Sequence, residues 1–250
     1  MKRNTFSEKS VDYVLSRPRY PEALYTWLAH QCADTKAAWD CATGNGQAAV
    51  GLSRHFDKVV ATDVSREQIA HAMLRDNIDY RVCSAEKSDL EGDSFDLVTV
   101  AQALHWFGYE RFWPEVRRVA HVGALFCAWG YAWLGSVPEV EKALIIPFRE
   151  AIEPFWAPNN KILWDGYRVE DVSFPFVPIS TPNFEISLEW TVRQLVSYMK
   201  TWSAYKMSQN NSKAAVTLDK ITRVAETLAP DGETIPIRMP LVVIAGYVRN

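Results

Sequence analysis

The chain has 250 residues, 48% apolar and 23% charged, which suffices to bury a sizeable core without disulfides or metal and suits one large domain or two small ones. Its 27 Lys and Arg face 30 Asp and Glu, a net charge of −3 with no basic stripe, which argues against a nucleic-acid binder. Apolar runs such as Leu241 to Ala245 are far shorter than the roughly 20 residues that span a bilayer, the opening residues do not read as the charged-then-apolar pattern of a signal peptide, and the four cysteines include no Cys-x-x-Cys pair. These readings predict a cytoplasmic protein that needs neither membrane nor metal. The chain is rich in rings, with 10 Trp, 10 Tyr and 11 Phe, and eight of the ten Trp lie from Trp106 to Trp202. Such rings fill cores, interfaces and ligand pockets alike.

From residue 20 to about residue 130, short β-like runs alternate with helical stretches, the pattern of βαβ units and a parallel sheet. The runs are residues 37–40, 59–62, 80–83, 95–100 and 125–129. Ser65 with Gln68 reads as a capping box that opens a helix through about Arg75, and Thr191 with Gln194 repeats the signature before a helix reaching about Lys206. After Gly130 the texture changes, because Pro138, Pro147, Pro154, Pro158, Pro175, Pro178 and Pro182 cut the chain into short pieces. Residues 184–190 alternate like a strand, and residues 239–248 read as a last strand.

The stretch Trp39-Asp40-Cys41-Ala42-Thr43-Gly44-Asn45-Gly46-Gln47 carries the chemistry. A strand ends at Asp40, a tight turn holds Gly44 and Gly46, and a helix begins near Gln47. Glycine fits where the backbone must turn sharply and approach a ligand closely. Asp63 ends the second strand, 17 residues after Gly46, where an acid can accept hydrogen bonds from both ribose hydroxyls. Gly44 to Ala49 also matches G-x-G-x-x-G/A, so a nicotinamide oxidoreductase stays open at this point.

The ordered set resembles the class I S-adenosylmethionine (SAM)-dependent methyltransferases, in which an acid-x-x-x-Gly-x-Gly turn follows the first strand. Asp40 supplies that acid, four residues before Gly44. Ser84-Ala85-Glu86 matches the end of the third strand beside the adenine, and Asp93-Ser94-Phe95-Asp96-Leu97-Val98 matches the entry to the fourth. Ala101-Gln102-Ala103-Leu104-His105-Trp106-Phe107 is similar to the loop after that strand in a small-molecule branch that includes trans-aconitate methyltransferase-like proteins. Arg17-Pro18-Arg19-Tyr20-Pro21, Trp129-Gly130-Tyr131 and Thr201-Trp202-Ser203-Ala204 are similar to further landmarks of that branch. Departures are Ala42 for the usual first glycine, Thr43 for a common cysteine, Ser84 and Gly108 where Asp is frequent, and His121-Val122-Gly123-Ala124 for Pro-Gly-Gly.

The resemblance implies a Rossmann-like α/β fold over residues 1–250. It has a mostly parallel seven-stranded sheet and an antiparallel C-terminal strand. Residues 1–131 would form the SAM-binding core. Residues 132–236 would form an inserted aromatic-rich cap with one core strand near 184–190, and residues 237–250 the final strand. The cofactor, released as S-adenosylhomocysteine, would lie against Tyr20, Asp40, Thr43, Gly44, Asn45, Gly46, Asp63, Val64, Ser84, Ala85, Glu86, Ala101 and Gln102. A small-molecule acceptor would meet Arg19, His105, Trp106, Tyr131 and Trp202.

His105 is the base candidate, since it follows the fourth strand and imidazole titrates near neutrality; it could equally orient substrate or serve the core. The other histidines, His30, His55, His71 and His121, read as helical with no ligand-like partner. The absence of a clear general base favours O-methylation of a carboxylic acid, which needs no proton removed. A SAM-binding protein without transferase activity and an RNA or protein methyltransferase are the remaining alternatives.

Overall fold

The computed structural model describes residues 18–131, 133–225, 227–228, 230 and 232–249, so Arg17 of the opening motif lies outside the described residues. In chain order the elements begin with α1 (Glu22–Gln31), β1 (Ala37–Cys41), α2 (Gln47–Leu52), β2 (Lys58–Asp63), α3 (Arg66–Ala70) and β3 (Ile78–Val82). There follow β4 (Phe95–Ala101), a 3-10 turn at Leu104–Trp106, α4 (Tyr109–Val119) and β5 (Ala120–Tyr131). Then come α5 (Ile146–Ile152), α6 (Asn160–Trp164), β6 (Glu185–Thr191), α7 (Val192–Met199), α8 (Ser203–Ser208), α9 (Ser212–Ala225) and β7 (Thr234–Tyr247).

The seven strands form one sheet in the order β3-β2-β1-β4-β5-β7-β6. β1 pairs in parallel with β2 and β4, β4 with β5, and β7 runs antiparallel to β5. The central strands read as unbroken apolar runs because helices cover both their faces. Thus Phe95 to Val100 are all buried, as are Ala38 to Cys41. The crossovers return the chain so that the C-terminal ends of β1, β2 and β4 lie side by side, where open α/β sheets bind ligands.

Two compact units partition the chain: Tyr20–Ala132, Asn159–Glu185 and Pro240–Asn250 form the first, and the second includes Trp133–Pro158 and Ile186–Met239. In the first, α4 buries Phe112, Trp113, Val116 and Val119, the spacing of one helical face. Trp113 packs edge-on against Phe126, Phe174 and Phe176 at 5.0–5.9 Å, and its indole N–H donates to Val172 O at 3.0 Å. In the second, Trp133, Trp156 and Trp202 meet pairwise at 6.0–6.2 Å, and Phe148 and Tyr198 pack edge-on to Trp202.

Local expectations need correction in four places. α3 ends at Ala70 rather than near Arg75, although Ser65 does cap it by accepting from Gln68 N at 3.2 Å. Beyond it, Met73 N donates to Asn45 O and Met73 O accepts from the Tyr80 hydroxyl, so the peptide groups that a longer helix would use are taken elsewhere. The helix expected from Thr191 to Lys206 is two helices. Its capping box is real, but the chain breaks after Met199 and Trp202 is extended, which places the indole in the tryptophan cluster. The last strand starts at Thr234, five residues earlier than read, because Pro236 and Pro240 hide the pairing in which Arg238 exchanges both backbone bonds with Gly135. Finally, His121 lies in β5 and bonds Asp93 at 2.9 Å, while His55 follows α2 and bonds Glu22 at 2.7 Å. In β5 the left-handed Gly123, with φ +88°, accompanies the register jump between Phe95 and Leu97 of β4.

Candidate active site

The turn after β1 is a sequence of left-handed residues. Ala42 has φ +55°, Gly44 +58° and Gly46 +86°. The first is uncommon for a residue with a Cβ, so the Ala42 departure is accommodated in a conformation that glycine takes freely. Gly44 and Gly46 are glycines for different reasons. A Cβ on Gly44 would have nothing within 4 Å, so that position faces open space. A Cβ on Gly46 would stand 2.1 Å from the Tyr80 hydroxyl, so Gly46 is required by packing as well as by φ.

Acids hold the turn from two sides. Asp40 is fully buried, its carboxylate accepting from the hydroxyls of Thr43 at 2.5 Å and Thr99 at 3.1 Å. Burial pushes its pKa up to about 6, against the opposing pull of those hydrogen bonds. It lies beneath the turn, and the threonine at position 43 closes over it. Thr43 N also donates to Thr62 O at 2.9 Å, and Asn45 holds Met73 through its carbonyl. Asp63 accepts from Gly44 N at 2.9 Å through one oxygen and from Ser65 N at 2.8 Å through the other. A carboxylate offers about four lone-pair sites, so each oxygen retains capacity. Beside it Val64 is 72% exposed, an apolar surface with no protein cover.

At the end of β3, the Ser84 hydroxyl accepts from Glu86 N, and Ala85 is buried. Glu86 accepts from Gly108 N at 2.7 Å and pairs with Arg111. A Cβ on Gly108 would come within 2.9 Å of the Glu86 carboxylate, so a side chain at this position would require the end of Glu86 to shift. At the end of β4, Ala101 pairs with Trp129 of β5, and Gln102 N donates to Trp129 O at 2.8 Å. Gln102 is itself left-handed, at φ +61°, and its side-chain Nε2 is buried with no partner among the described residues, as is the Trp129 indole N–H. Tyr20 packs edge-on against Trp129 at 5.6 Å and tilted to Tyr131 at 6.4 Å.

His105 is buried, and its Nδ1 shares a 2.9 Å hydrogen bond with the Tyr167 hydroxyl, while its carbonyl accepts from the Asn159 amide. Desolvation drives its pKa down to about 4, so the ring is neutral at pH 7. Tyr167 was invisible in the sequence. It sits at φ +49° directly after Gly166 at φ +96°, where Gly166 N bonds Leu163 O and Tyr167 N bonds Ile162 O. That is the Schellman termination of α6, and a glycine two residues after the helix end at Trp164 is the signal that could have exposed it. Trp106 is 53% exposed and Arg19 is exposed, while Trp202 belongs to the second unit's aromatic cluster.

Asp40 and His105 titrate in opposite senses. The native state holds a proton on Asp40 up to about pH 6 that the unfolded chain releases near 3.8, the ordinary value of an aspartate, so ionising it lowers stability as pH rises through that window. His105 binds its proton only near pH 4, against 6.5 when unfolded, so its contribution rises with pH over the same range and is complete above it. The two slopes offset each other. Thermal melts from pH 4 to 7 are therefore expected to show stability rising with pH more steeply than wild type in Asp40→Asn, and less steeply in His105→Gln. Variant slopes equal to that of wild type would refute both assignments.

A family model described as "Methyltransferase domain" matches residues 39–128, from the first strand through β5. A Dictyostelium discoideum protein named as a methyltransferase is 28% identical over 96% of this chain and 93% of its own. A Mycobacterium tuberculosis protein described as an uncharacterized methyltransferase is 30% identical, with 62% of this chain covering 68% of that one. A solved structure from Anaeromyxobacter dehalogenans, described as a type II methyltransferase, superposes with a TM-score of 0.84 at 32% identity, covering 93% of this chain and 98% of that one. The chain belongs to the class I SAM-dependent methyltransferases.

Proposed function

We propose that the enzyme methylates a carboxylate oxygen of a small organic acid, as the resemblance to the trans-aconitate methyltransferase-like branch implies. The residues around the turn fit SAM. Gly44 leaves open space for a close approach, Asp63 has lone pairs left for two ribose hydroxyls, and Val64 offers an uncovered apolar surface for the adenine. Ser84, Ala85 and Glu86 would border the adenine edge. Tyr20 and Ala101 would border the methionine end, and Trp106 and Tyr131 would serve the acceptor. Bound SAM supplies a methyl group on sulfonium: a new O–C bond forms as the C–S bond breaks, with the electron pair leaving on sulfur.

The observation that carries the reading is the condition of His105. A ring whose pKa lies near 4 and whose Nδ1 is engaged with Tyr167 is a weak proton acceptor. A hydroxyl or amine acceptor must lose a proton, whereas a carboxylate arrives ionised. Positioning and exclusion of water can then supply much of the rate, roughly 7–11 kcal/mol in favourable intramolecular systems. His105→Gln, which can keep the bond to Tyr167, is expected to hold kcat within about fivefold of wild type; a proton-removing role would cost roughly a hundredfold or more. With tritiated SAM and a panel of acids, alcohols, amines and RNA, label should appear in base-labile esters of the acids. Label confined to amines or RNA would overturn the proposal.

A further inference from the structure

We propose that the side-chain amide of Gln102 is the donor that grips the acceptor's carboxylate, which assigns to the acceptor a residue that sequence resemblance alone gives to the cofactor. The inference rests on the carboxylate reading above.

Three observations converge on this side chain. Its Nε2 is buried with no hydrogen-bond partner among the described residues, and a buried unpaired donor is costly unless a ligand satisfies it. Its backbone sits at φ +61°, a conformation uncommon outside glycine, and strain of this kind gathers at ligand sites. Its place is fixed by the bond from its N–H to Trp129 O, immediately beyond the C-terminal end of β4.

The direction of the side chain separates the acceptor from the cofactor. β4 lies between β1, which carries the glycine turn, and β5. The Gln102 amide leans toward β5: its Oε1 would lie 3.1 Å from a Cβ placed on Gly130, and Leu163 of α6 would lie at 2.7 Å from the same point. The absence of a side chain at Gly130 is what gives the amide room. Leu163 belongs to the helix whose termination delivers Tyr167 to His105, and Asn159, just before that helix, binds the His105 carbonyl. Gln102 therefore leans to the β5 side, toward α6, whereas β2, which ends at Asp63, lies on the far side of β1. A neutral amide N–H suits an anion: it binds through a charge-assisted hydrogen bond and leaves the attacking oxygen unprotonated.

The test uses the full-length enzyme with the best acceptor from a panel of aliphatic, aromatic and polycarboxylic acids. Gln102→Glu replaces the donor with a like charge at nearly constant shape, and Gln102→Met removes it without adding charge. Both variants are first compared with wild type by thermal melting and by calorimetric titration with SAM. The expected result is SAM affinity within about threefold of wild type in both, with acceptor KM raised roughly tenfold to a hundredfold, most in Gln102→Glu. Weakened SAM binding with acceptor KM unchanged would return Gln102 to the cofactor, and unchanged values for both ligands would deny it either role; each outcome overturns the inference. Failure of the carboxylate reading is seen separately, on wild-type enzyme, when no acid of the panel is esterified; the inference then falls with it.

Discussion

Asp63→Ala is expected to lower SAM affinity by about a hundredfold or more and to lower the melting temperature as well. The two losses have different origins. Toward the ligand, the variant would remove the charge-assisted hydrogen bonds proposed to the ribose, each worth about 1.5–3 kcal/mol, and two such bonds at the lower limit would already amount to a factor near a hundred. Toward the protein, it frees Gly44 N and Ser65 N, which the two carboxylate oxygens hold at 2.9 and 2.8 Å. Both amides are near the surface and water can replace part of that loss, so the cost in stability should be about 1–2 kcal/mol. Asp63→Asn separates the two in part: its amide oxygen can still accept from Gly44 N while its NH2 faces Ser65 N and cannot accept from it, so part of the stability loss should remain while SAM binding stays weak. Calorimetric affinity unchanged in Asp63→Ala would remove this acid from the ligand altogether.

Gly46→Ala should have the largest effect on stability of any single-methyl addition in the site. The substitution meets two penalties together. A side chain at φ +86° costs roughly 1–2 kcal/mol, and the new Cβ would lie 2.1 Å from the Tyr80 hydroxyl and 2.9 Å from its ring carbons. Tyr80 cannot simply swing aside, since its hydroxyl donates to Met73 O at 2.8 Å. Overpacking of this kind typically costs a further 1–3 kcal/mol. Gly44→Ala is the informative contrast: its φ of +58° imposes the first penalty, but nothing lies within 4 Å to impose the second. Denaturant melts should therefore find Gly46→Ala clearly less stable than Gly44→Ala, whereas SAM binding should suffer in both. Equal stabilities would show that Tyr80 yields freely.

Much of the core of this architecture is legible in the chain, for a physical reason. The inner strands are covered on both faces, so they read as apolar runs whatever the helices do, and the bounds of β1, β2 and β4 follow directly. The glycine turn and the acid at the end of β2 are legible because their spacing is local. The elements that were misjudged are those whose limits are set by distant partners. Met73 leaves helical geometry to bond Asn45, Trp202 leaves it to join two tryptophans far away in sequence, and the start of β7 depends on pairing with Gly135. His105 was visible as a residue but its character was not. Its neutrality comes from burial, and its Nδ1 is engaged by a tyrosine 62 positions later, delivered by a left-handed turn that no motif announces.

The fastening of Met73 has a consequence for what counts as the nucleotide-binding unit. The strand-turn-helix that carries Gly44 and Gly46 does not maintain its own shape. Its loop carbonyl at Asn45 is tied to Met73, Met73 is tied to the Tyr80 hydroxyl, and Tyr80 fills the volume that a side chain at position 46 would need. The working module is thus the whole βαβαβ stretch from β1 to β3 rather than a ten-residue signature. Grafting the signature alone into another sheet would transplant the letters of the motif and leave behind the tyrosine that gives one of its glycines a meaning.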